Sequence, residues 1–165
     1  MSNTYGEKPP LSYNKYLRVP DLINLQDCLS DPTHHDELLF ITVHQAYELW
    51  FKQILHELDA AIVLLSEDRL AAATRAMRRV VDIEKLLVNQ IHILESMTPI
   101  SFLAFRDELN PASGFQSMQF REIEFSSGLK DPQILQEFAD DSFAHARLRY
   151  HNTQRGRDLF PSQSP

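Results

Sequence analysis

Apolar side chains recur at three- and four-residue spacing from about 32 to 97, and the run is interrupted once. This spacing puts the side chains on one face of an α-helix. The first series is Leu38, Ile41, Leu49, Ile54, Leu55, Leu58, Ile62 and Leu65, and the second is Leu70, Met77, Val80, Ile83, Leu87, Ile91 and Leu94. Residues 66–69 form a short turn between them. Because so short a connection keeps two long helices side by side, the pattern predicts an antiparallel helical hairpin.

Cap-and-proline pairs predict where helices begin. Asp31-Pro32 predicts that the first long helix starts near 32, with Asp31 as its cap, and Thr98-Pro99 predicts a third, short helix. The chain has only four glycines in 165 residues, which favours helices over sheets. We therefore expect an all-α, bundle-like fold in which short helices accompany the hairpin.

The pattern divides the chain into three parts. Residues 1–31 are predicted to be a flexible N-terminus and an arm that carries Tyr13 and Tyr16. Residues 32–148 form the predicted helical domain. Residues 149–165 are polar and lack periodicity, so we expect an unstructured tail there.

Composition excludes several classes of function. A net charge of −7 argues against broad nucleic-acid binding, which needs clustered Lys and Arg. The single cysteine, Cys28, cannot form an internal disulfide or a cysteine-rich zinc site, and it suits a reducing compartment. The start of the chain lacks the order of a signal peptide, and no apolar run approaches the roughly 20 residues of a membrane span. We therefore expect a cytoplasmic protein.

One histidine of the first long helix lies among large apolar side chains. Phe40 and His44 are four residues apart and share a face, and Phe51 lies two turns further on. A lone histidine on an apolar face is most often a hydrogen-bonded core residue. An imidazole between aromatic rings also suits a flat, partly polar ligand such as an indole.

Residue spacing rules against three other kinds of site. A carboxylate-bridged di-iron site needs Glu-x-x-His on two helices, and no histidine here has a glutamate three residues before it. His34 and His35 would point about 100° apart on a helix, which disfavours a shared metal ion. No Gly-x-Ser-x-Gly string presents a nucleophile, and Ser113 before Gly114 is a weak substitute. No metal ligand is assigned from spacing.

Arg106 follows Phe102 on the predicted third helix. Such an arginine more commonly pairs with a protein carboxylate, but its planar guanidinium also binds a ligand carboxylate in bidentate fashion. Together with Phe40, His44 and Phe51, these residues make up an aromatic pocket with one imidazole and one guanidinium. These are the kinds of side chain needed to bind an aromatic amino acid.

Several strings, in this order, resemble the N-terminal part of the tryptophan 2,3-dioxygenase family. They cover residues 13 to about 148, and the combined match is highly specific although no single string is. The strings are Tyr13-Asn-Lys-Tyr16-Leu17, His34-His-Asp-Glu-Leu-Leu-Phe40, His44-Gln, Glu48-Leu-Trp-Phe-Lys52, Thr98-Pro99, Phe105-Arg106-Asp107, Ser113-Gly-Phe-Gln-Ser117 and Phe120-Arg-Glu-Ile-Glu-Phe125.

The resemblance implies an all-helical protein that binds haem b. It would insert both atoms of dioxygen across the C2–C3 bond of L-tryptophan, giving N-formylkynurenine in the first step of tryptophan catabolism. His44 matches the catalytic histidine that hydrogen-bonds the indole N–H, and Phe40 matches a wall of the substrate pocket. Arg106 matches the residue that binds the substrate carboxylate. Phe102 stands where many relatives have tyrosine, which keeps the ring surface and loses a hydroxyl.

The resemblance also assigns the cofactor and the assembly. Ser113 matches a loop beside the haem, and Phe51 is assigned to the same cofactor site. Tyr13, Tyr16 and Leu17 match an arm that reaches into a neighbouring subunit's substrate site, which implies a homotetramer.

In one respect the sequence departs from the family. Relatives continue well past this length, and their axial haem histidine lies on a later helix; neither His145 nor His151 aligns with it. A haem without a fixed nitrogen on its iron should bind weakly. The chain is then a fragment, the product of a disrupted gene, or a short relative with a changed role. Two alternatives stay open: a catalytically silent protein that binds an aromatic amino acid or assembles with partner helices, and a haem protein with another reaction.

Overall fold

The computed structural model describes residues 10–153, and all of their regular secondary structure is helical. This confirms the predicted all-α fold. The α-helices are α1 (Tyr13–Leu17), α2 (Val19–Leu22), α3 (His35–Ser66), α4 (Leu70–Glu95), α5 (Pro99–Arg106), α6 (Met118–Ser126), α7 (Pro132–Glu137) and α8 (Ser142–Thr153). Within this range, none of them is both long enough and apolar enough to cross a bilayer.

The long helices α3 and α4 form the predicted antiparallel hairpin. Their buried seam is built around Ile54, which packs with Val80, Ile83 and Leu87. The Tyr47 hydroxyl donates to the Leu87 carbonyl across the seam at 2.7 Å. Burial of these apolar side chains is the main stabilising contribution to the hairpin, because most of the stability of a helix in a protein comes from the packing of its apolar face.

The helix α3 begins later than the sequence predicts. Asp31 is not its cap, because α3 starts one residue after His34. The buried carboxylate of Glu37 instead accepts hydrogen bonds from the Leu29 amide at 2.6 Å, from the Ser30 amide at 3.1 Å and from the Ser30 hydroxyl. Ser30 Oγ also accepts from the His34 amide at 2.9 Å. These side-chain contacts satisfy the amides before α3, so the segment forms a turn rather than a first helical turn.

Two of the shorter helices begin at caps that the structure makes explicit. Thr98 Oγ1 accepts from the Ser101 amide at 3.1 Å, which confirms the predicted start of α5. Asp131 accepts from the Gln133 amide at 2.9 Å in the same way and starts α7. Each cap satisfies an amide that has no partner within the helix.

The predicted unstructured tail is wrong at its beginning, because α8 runs on to Thr153. Leu148 is fully buried and packs with Phe125 and Ile134, so tertiary contacts hold a helix whose periodicity is weak. The rest of the predicted tail, residues 154–165, lies outside the described residues.

An ion pair between a buried carboxylate and a partly exposed arginine joins α6 to α8. Glu122 is fully buried, and its two carboxylate oxygens accept from Arg147 Nε at 2.5 Å and Nη2 at 2.9 Å. His151 Nε2 lies 3.8 Å from the same carboxylate. Burial comes first among the influences on His151 and lowers its pKa; Glu122 opposes that shift and Arg147 adds to it. The Glu122 charge is therefore balanced mainly by the arginine.

Loss of this pair should destabilise the protein. We expect Glu122→Ala to lower the free energy of unfolding by about 3 kcal/mol, because it leaves Arg147 without its buried acceptor. Urea unfolding followed by circular dichroism measures the change. The control, Glu67→Ala, removes an exposed pair with Arg69 and should cost less than about 1 kcal/mol. Equal losses in the two variants would contradict a structural role for Glu122.

The turn before α3 should be sensitive to acid. Burial alone would raise the pKa of Glu37, but hydrogen bonds from Ser30 and Leu29, helped by His34, outweigh it and lower the pKa. The carboxylate therefore stabilises the fold above the ordinary glutamate pKa, and this contribution is lost as pH falls through the lower pKa of the folded state.

We expect Glu37→Gln to unfold about 1–3 kcal/mol more easily at neutral pH. The difference from the parent chain should shrink as pH falls below about 4. Thermal unfolding across a pH series measures it, and Asp21→Asn, which alters the exposed pair with Arg18, is the control. A difference that stays constant over the series would show that the carboxylate charge is unimportant.

Candidate functional site

An open cavity of about 550 Å³ lies between α3 and the segment that leads into α6. Its α3 wall is formed by residues spaced at i, i+3, i+4 and i+7, which share one helix face. These residues are His44, Tyr47, Glu48 and Phe51. Residues 113–117, which we call the cavity wall, and Phe120 form the opposite side. The structure thus brings His44, Phe51 and Ser113 to the lining of one cavity.

One hydrogen bond determines which ring nitrogen of His44 carries the proton. Its Nδ1 lies 2.7 Å from the Phe40 carbonyl oxygen. Because a carbonyl oxygen only accepts, Nδ1 carries the proton and donates. In the neutral ring, Nε2 is then left as a hydrogen-bond acceptor. The residue is therefore oriented by the backbone of its own helix, one turn earlier.

An aromatic cluster supports the imidazole from behind. The Phe40 ring lies 4.1 Å from the His44 ring, centroid to centroid, and 5.7 Å from both Phe102 and Phe105. Phe102 and Phe105 meet edge to face at 5.6 Å, and Phe105 is completely buried. Such edge contacts are favourable geometries for aromatic pairs. The cluster ties α5 to α3 and restricts how the His44 ring can turn.

Arg106 lies outside the lining of this cavity. It ends α5, one turn after Phe102, and is half-buried. Its Nη1 donates to Asn110 Oδ1 at 3.4 Å, a long and weak contact. The two ends of the predicted amino-acid site are therefore on neighbouring helices, and only the imidazole end faces the cavity.

Polar contacts rather than burial shape the cavity wall. Within it, Gln116 Oε1 accepts from the Ser113 amide at 3.0 Å, and Ser113 Oγ accepts from the Phe115 amide at 3.3 Å. The first turn of α6 is tied to α3, because Gln119 Nε2 donates to Glu48 twice, at 2.9 Å to the carbonyl and at 2.7 Å to the carboxylate. The centroids of the Phe51 and Phe120 rings, which belong to opposite sides of the cavity, lie 5.5 Å apart.

Comparison with known proteins decides the family. A model of the tryptophan 2,3-dioxygenase family matches residues 2–157. The chain belongs to the tryptophan 2,3-dioxygenase family. It is similar to the tryptophan 2,3-dioxygenases of Nocardioides (56% identical over 140 residues) and Herpetosiphon aurantiacus (54% over 129), and of Xanthomonas oryzae (48% over 139).

These matches have unequal coverage. They include 82%, 78% and 84% of this chain but only 52%, 50% and 47% of the respective relatives. The chain thus spans about half the length of the tryptophan 2,3-dioxygenases it matches.

Sequence reasoning missed part of the lining that this family member presents. Tyr47 and Glu48 were detectable, because they share the helix face of His44 and Phe51. Phe115 and Phe120 carried no comparable signal. Their positions depend on the path of the cavity wall, which contacts distant in sequence determine.

The cavity has some of the features that binding of the haem implied by the family requires. Phe51, Phe115 and Phe120 offer apolar ring surfaces of the kind that suit a flat porphyrin. Among residues 10–153, no three or more His, Cys, Asp and Glu side chains cluster as a metal site. His44 is the imidazole in the lining, and its Nδ1 is engaged by Phe40. The walls therefore offer flat apolar surface, and no axial ligand for a haem iron is assigned among residues 10–153.

The arm of this family member is helical and exposed. Tyr13, Tyr16 and Leu17 lie on α1 and are 74%, 71% and 44% exposed. The end of the arm is attached to α3, because Gln45 Nε2 donates to the Leu25 carbonyl at 2.9 Å. The remainder of the predicted flexible start, residues 1–9, lies outside the described residues.

Proposed function

We propose that this chain carries the substrate-binding part of a haem-dependent dioxygenase that converts L-tryptophan and dioxygen into N-formylkynurenine. The observation that carries the proposal is His44, which presents an acceptor nitrogen in a cavity walled by aromatic rings. An indole needs such a site, because it has one N–H donor on an otherwise apolar bicyclic ring. Membership of the family supports the same reaction.

His44 orients the substrate in this proposal. Its Nε2 accepts the indole N–H, while Nδ1 stays bonded to the Phe40 carbonyl. A fixed imidazole determines which edge of the indole faces the reacting oxygen, and orientation of this kind lowers the barrier without added chemistry. Phe40, packed behind the imidazole, keeps the ring from rotating away. Phe102 supports Phe40 through ring contact alone.

Arg106 binds the substrate carboxylate in the same proposal. Within residues 10–153, the guanidinium would give up only its weak hydrogen bond to Asn110. A two-pronged bond to a carboxylate is much stronger than that contact. Because Arg106 does not line the cavity, its side chain must swing toward α3 when the amino acid enters.

Haem b is the proposed cofactor, with Phe51 and Ser113 contacting the macrocycle. When bound, it supplies the activation of dioxygen that no side chain here provides. The role of the cavity is to hold the indole in place and to exclude water from the ring contacts.

We further propose a cytoplasmic homotetramer in which the arm of one subunit enters the substrate site of another. Exposure of Tyr13, Tyr16 and Leu17 supports this proposal, since large apolar side chains presented by a short helix are typical of interaction surfaces. A reducing compartment suits the free thiol of Cys28.

The function is tested with hemin and L-tryptophan. We expect added hemin to give the absorption band of a protein-bound haem, and L-tryptophan with dioxygen and a reductant to give N-formylkynurenine, detected by its absorbance and by mass spectrometry. Haem binding without product would favour another haem reaction. Neither haem nor product, with tryptophan still bound, would favour the catalytically silent protein.

The role of His44 is tested by calorimetry with two ligands. We expect L-tryptophan to bind about tenfold more tightly than its N1-methyl derivative, because methylation removes the N–H that Nε2 accepts. His44→Ala should abolish the difference, and His56→Ala, at an exposed position of the same helix, should keep it. Discrimination that survives in His44→Ala would refute the indole contact.

The role of Arg106 is tested with a ligand that lacks the carboxylate. Tryptamine lacks the carboxylate, so the parent chain should prefer L-tryptophan to it, and Arg106→Ala should reduce that preference by about tenfold or more. Arg78→Ala, at an exposed position of α4, is the control. If Arg106→Ala instead leaves tryptophan affinity intact and collapses the helical circular dichroism signal, the residue is structural.

A further inference from the structure

Arg121 lies directly behind the cavity wall. Its Nε donates to the Phe115 carbonyl at 3.3 Å, and Nη1 donates to Glu124 at 2.7 Å. Its guanidinium carbon lies 5.9 Å from the centroid of the Phe115 ring and 5.7 Å from that of Phe120, within cation–π range of both. Only 12% of the side chain is exposed.

We propose that Arg121 is a positioning residue that holds the cavity wall, residues 113–117, in place opposite His44. Its effect on ligand binding rests on the function proposed above, whereas its effect on the wall does not. The residue acts on two of the aromatic side chains that line the cavity, Phe115 and Phe120, and not on the ligand itself.

The wall needs such support because burial does not provide it. Residues 113–116 are exposed, and the Phe115 side chain is 78% exposed. A segment with few buried contacts opens easily unless polar contacts restrain it. The hydrogen bonds of Ser113 with Gln116 and Phe115 lie within the cavity wall, so they do not attach the wall to the helices. The Arg121 bond to the Phe115 carbonyl makes that attachment at the middle of the wall.

The pairing with Glu124 argues for positioning rather than ligand binding. Glu124 neutralises the guanidinium and engages Nη1, and the two rings are close enough to cover it. An anionic ligand would have to displace all of these contacts. A lysine could not replace the arginine, because it lacks both the flat surface and the fork of donors that serve two acceptors at once.

The chain offers a matched arginine for comparison. Arg147 also combines a carboxylate pair, with Glu122, and a ring contact, with Phe143 at 5.6 Å. Its contacts join α8 to α6 and do not involve the cavity wall. Arg147→Lys therefore changes the same chemistry at a site where only stability should respond.

The test compares Arg121→Lys with Arg147→Lys by hydrogen–deuterium exchange of the whole chain. We expect Arg121→Lys to speed exchange of the amides at 115–117 roughly five- to tenfold, the effect of losing about one hydrogen bond. Exchange in the buried seam of α3 and α4 should not change. Arg147→Lys should lower the thermal unfolding midpoint without selective exchange in the wall.

A second measurement connects the wall to binding. Hemin binding is followed through the fluorescence of Trp50, the single tryptophan, which precedes Phe51 on α3. Arg121→Lys should weaken hemin binding by a factor similar to its effect on exchange. Unchanged exchange at 115–117 would overturn the proposal. Faster exchange with unaltered hemin affinity would show that Arg121 holds the wall and would refute its effect on binding. If the parent chain itself does not bind hemin, the proposed function fails, and exchange alone decides the role of Arg121.

Discussion

The packing of α3 against α4 is the constraint on which the candidate site depends. A helix buried along one stripe cannot rotate about its axis without exposing that stripe. Ile54 lies at the centre of the seam, and the Tyr47 hydroxyl bond to Leu87 fixes the same register. With the helix held in this way, His44 and Phe51 can only face α6 and the segment before it. The direction in which His44 and Phe51 face is therefore set by the packing of the hairpin, to which the cavity residue Tyr47 itself contributes.

The two sides of the cavity are held by different forces. The α3 side belongs to a long helix with a buried seam, so its geometry is as rigid as the hairpin. The opposite side is an exposed segment restrained by a few polar bonds and ring contacts, such as the bonds from Gln119 to Glu48. Each such bond contributes only about 1 kcal/mol. The position of this side therefore depends on fewer and weaker contacts than the orientation of His44 does.

The sequence predicted those features that local chemistry decides. Apolar spacing located the hairpin, and the Thr98 cap located the start of α5, because both depend on residues a few positions apart. The prediction failed at Asp31, where Glu37 folds back on the preceding turn, and near 149, where buried Leu148 keeps α8 helical. The two errors have different causes. At Asp31, a glutamate only seven residues beyond Ser30 outweighed the cap signal, whereas near 149 the tertiary packing of Leu148 outweighed a weak periodicity.

The contrast between local spacing and packing also explains which proximities in the candidate site could be predicted from the sequence. His44 and Phe51 come from one helix, so their proximity followed from spacing. Arg106 comes from α5, and its distance from His44 depends on how the aromatic cluster around Phe105 sets that helix on α3. The imidazole of His44 is oriented by its Nδ1 bond to the Phe40 carbonyl, whereas the Arg106 guanidinium contacts Asn110 and lies outside the cavity lining. Under the proposed function, recognition of the indole therefore comes before capture of the carboxylate, because only the first requires no rearrangement of the chain.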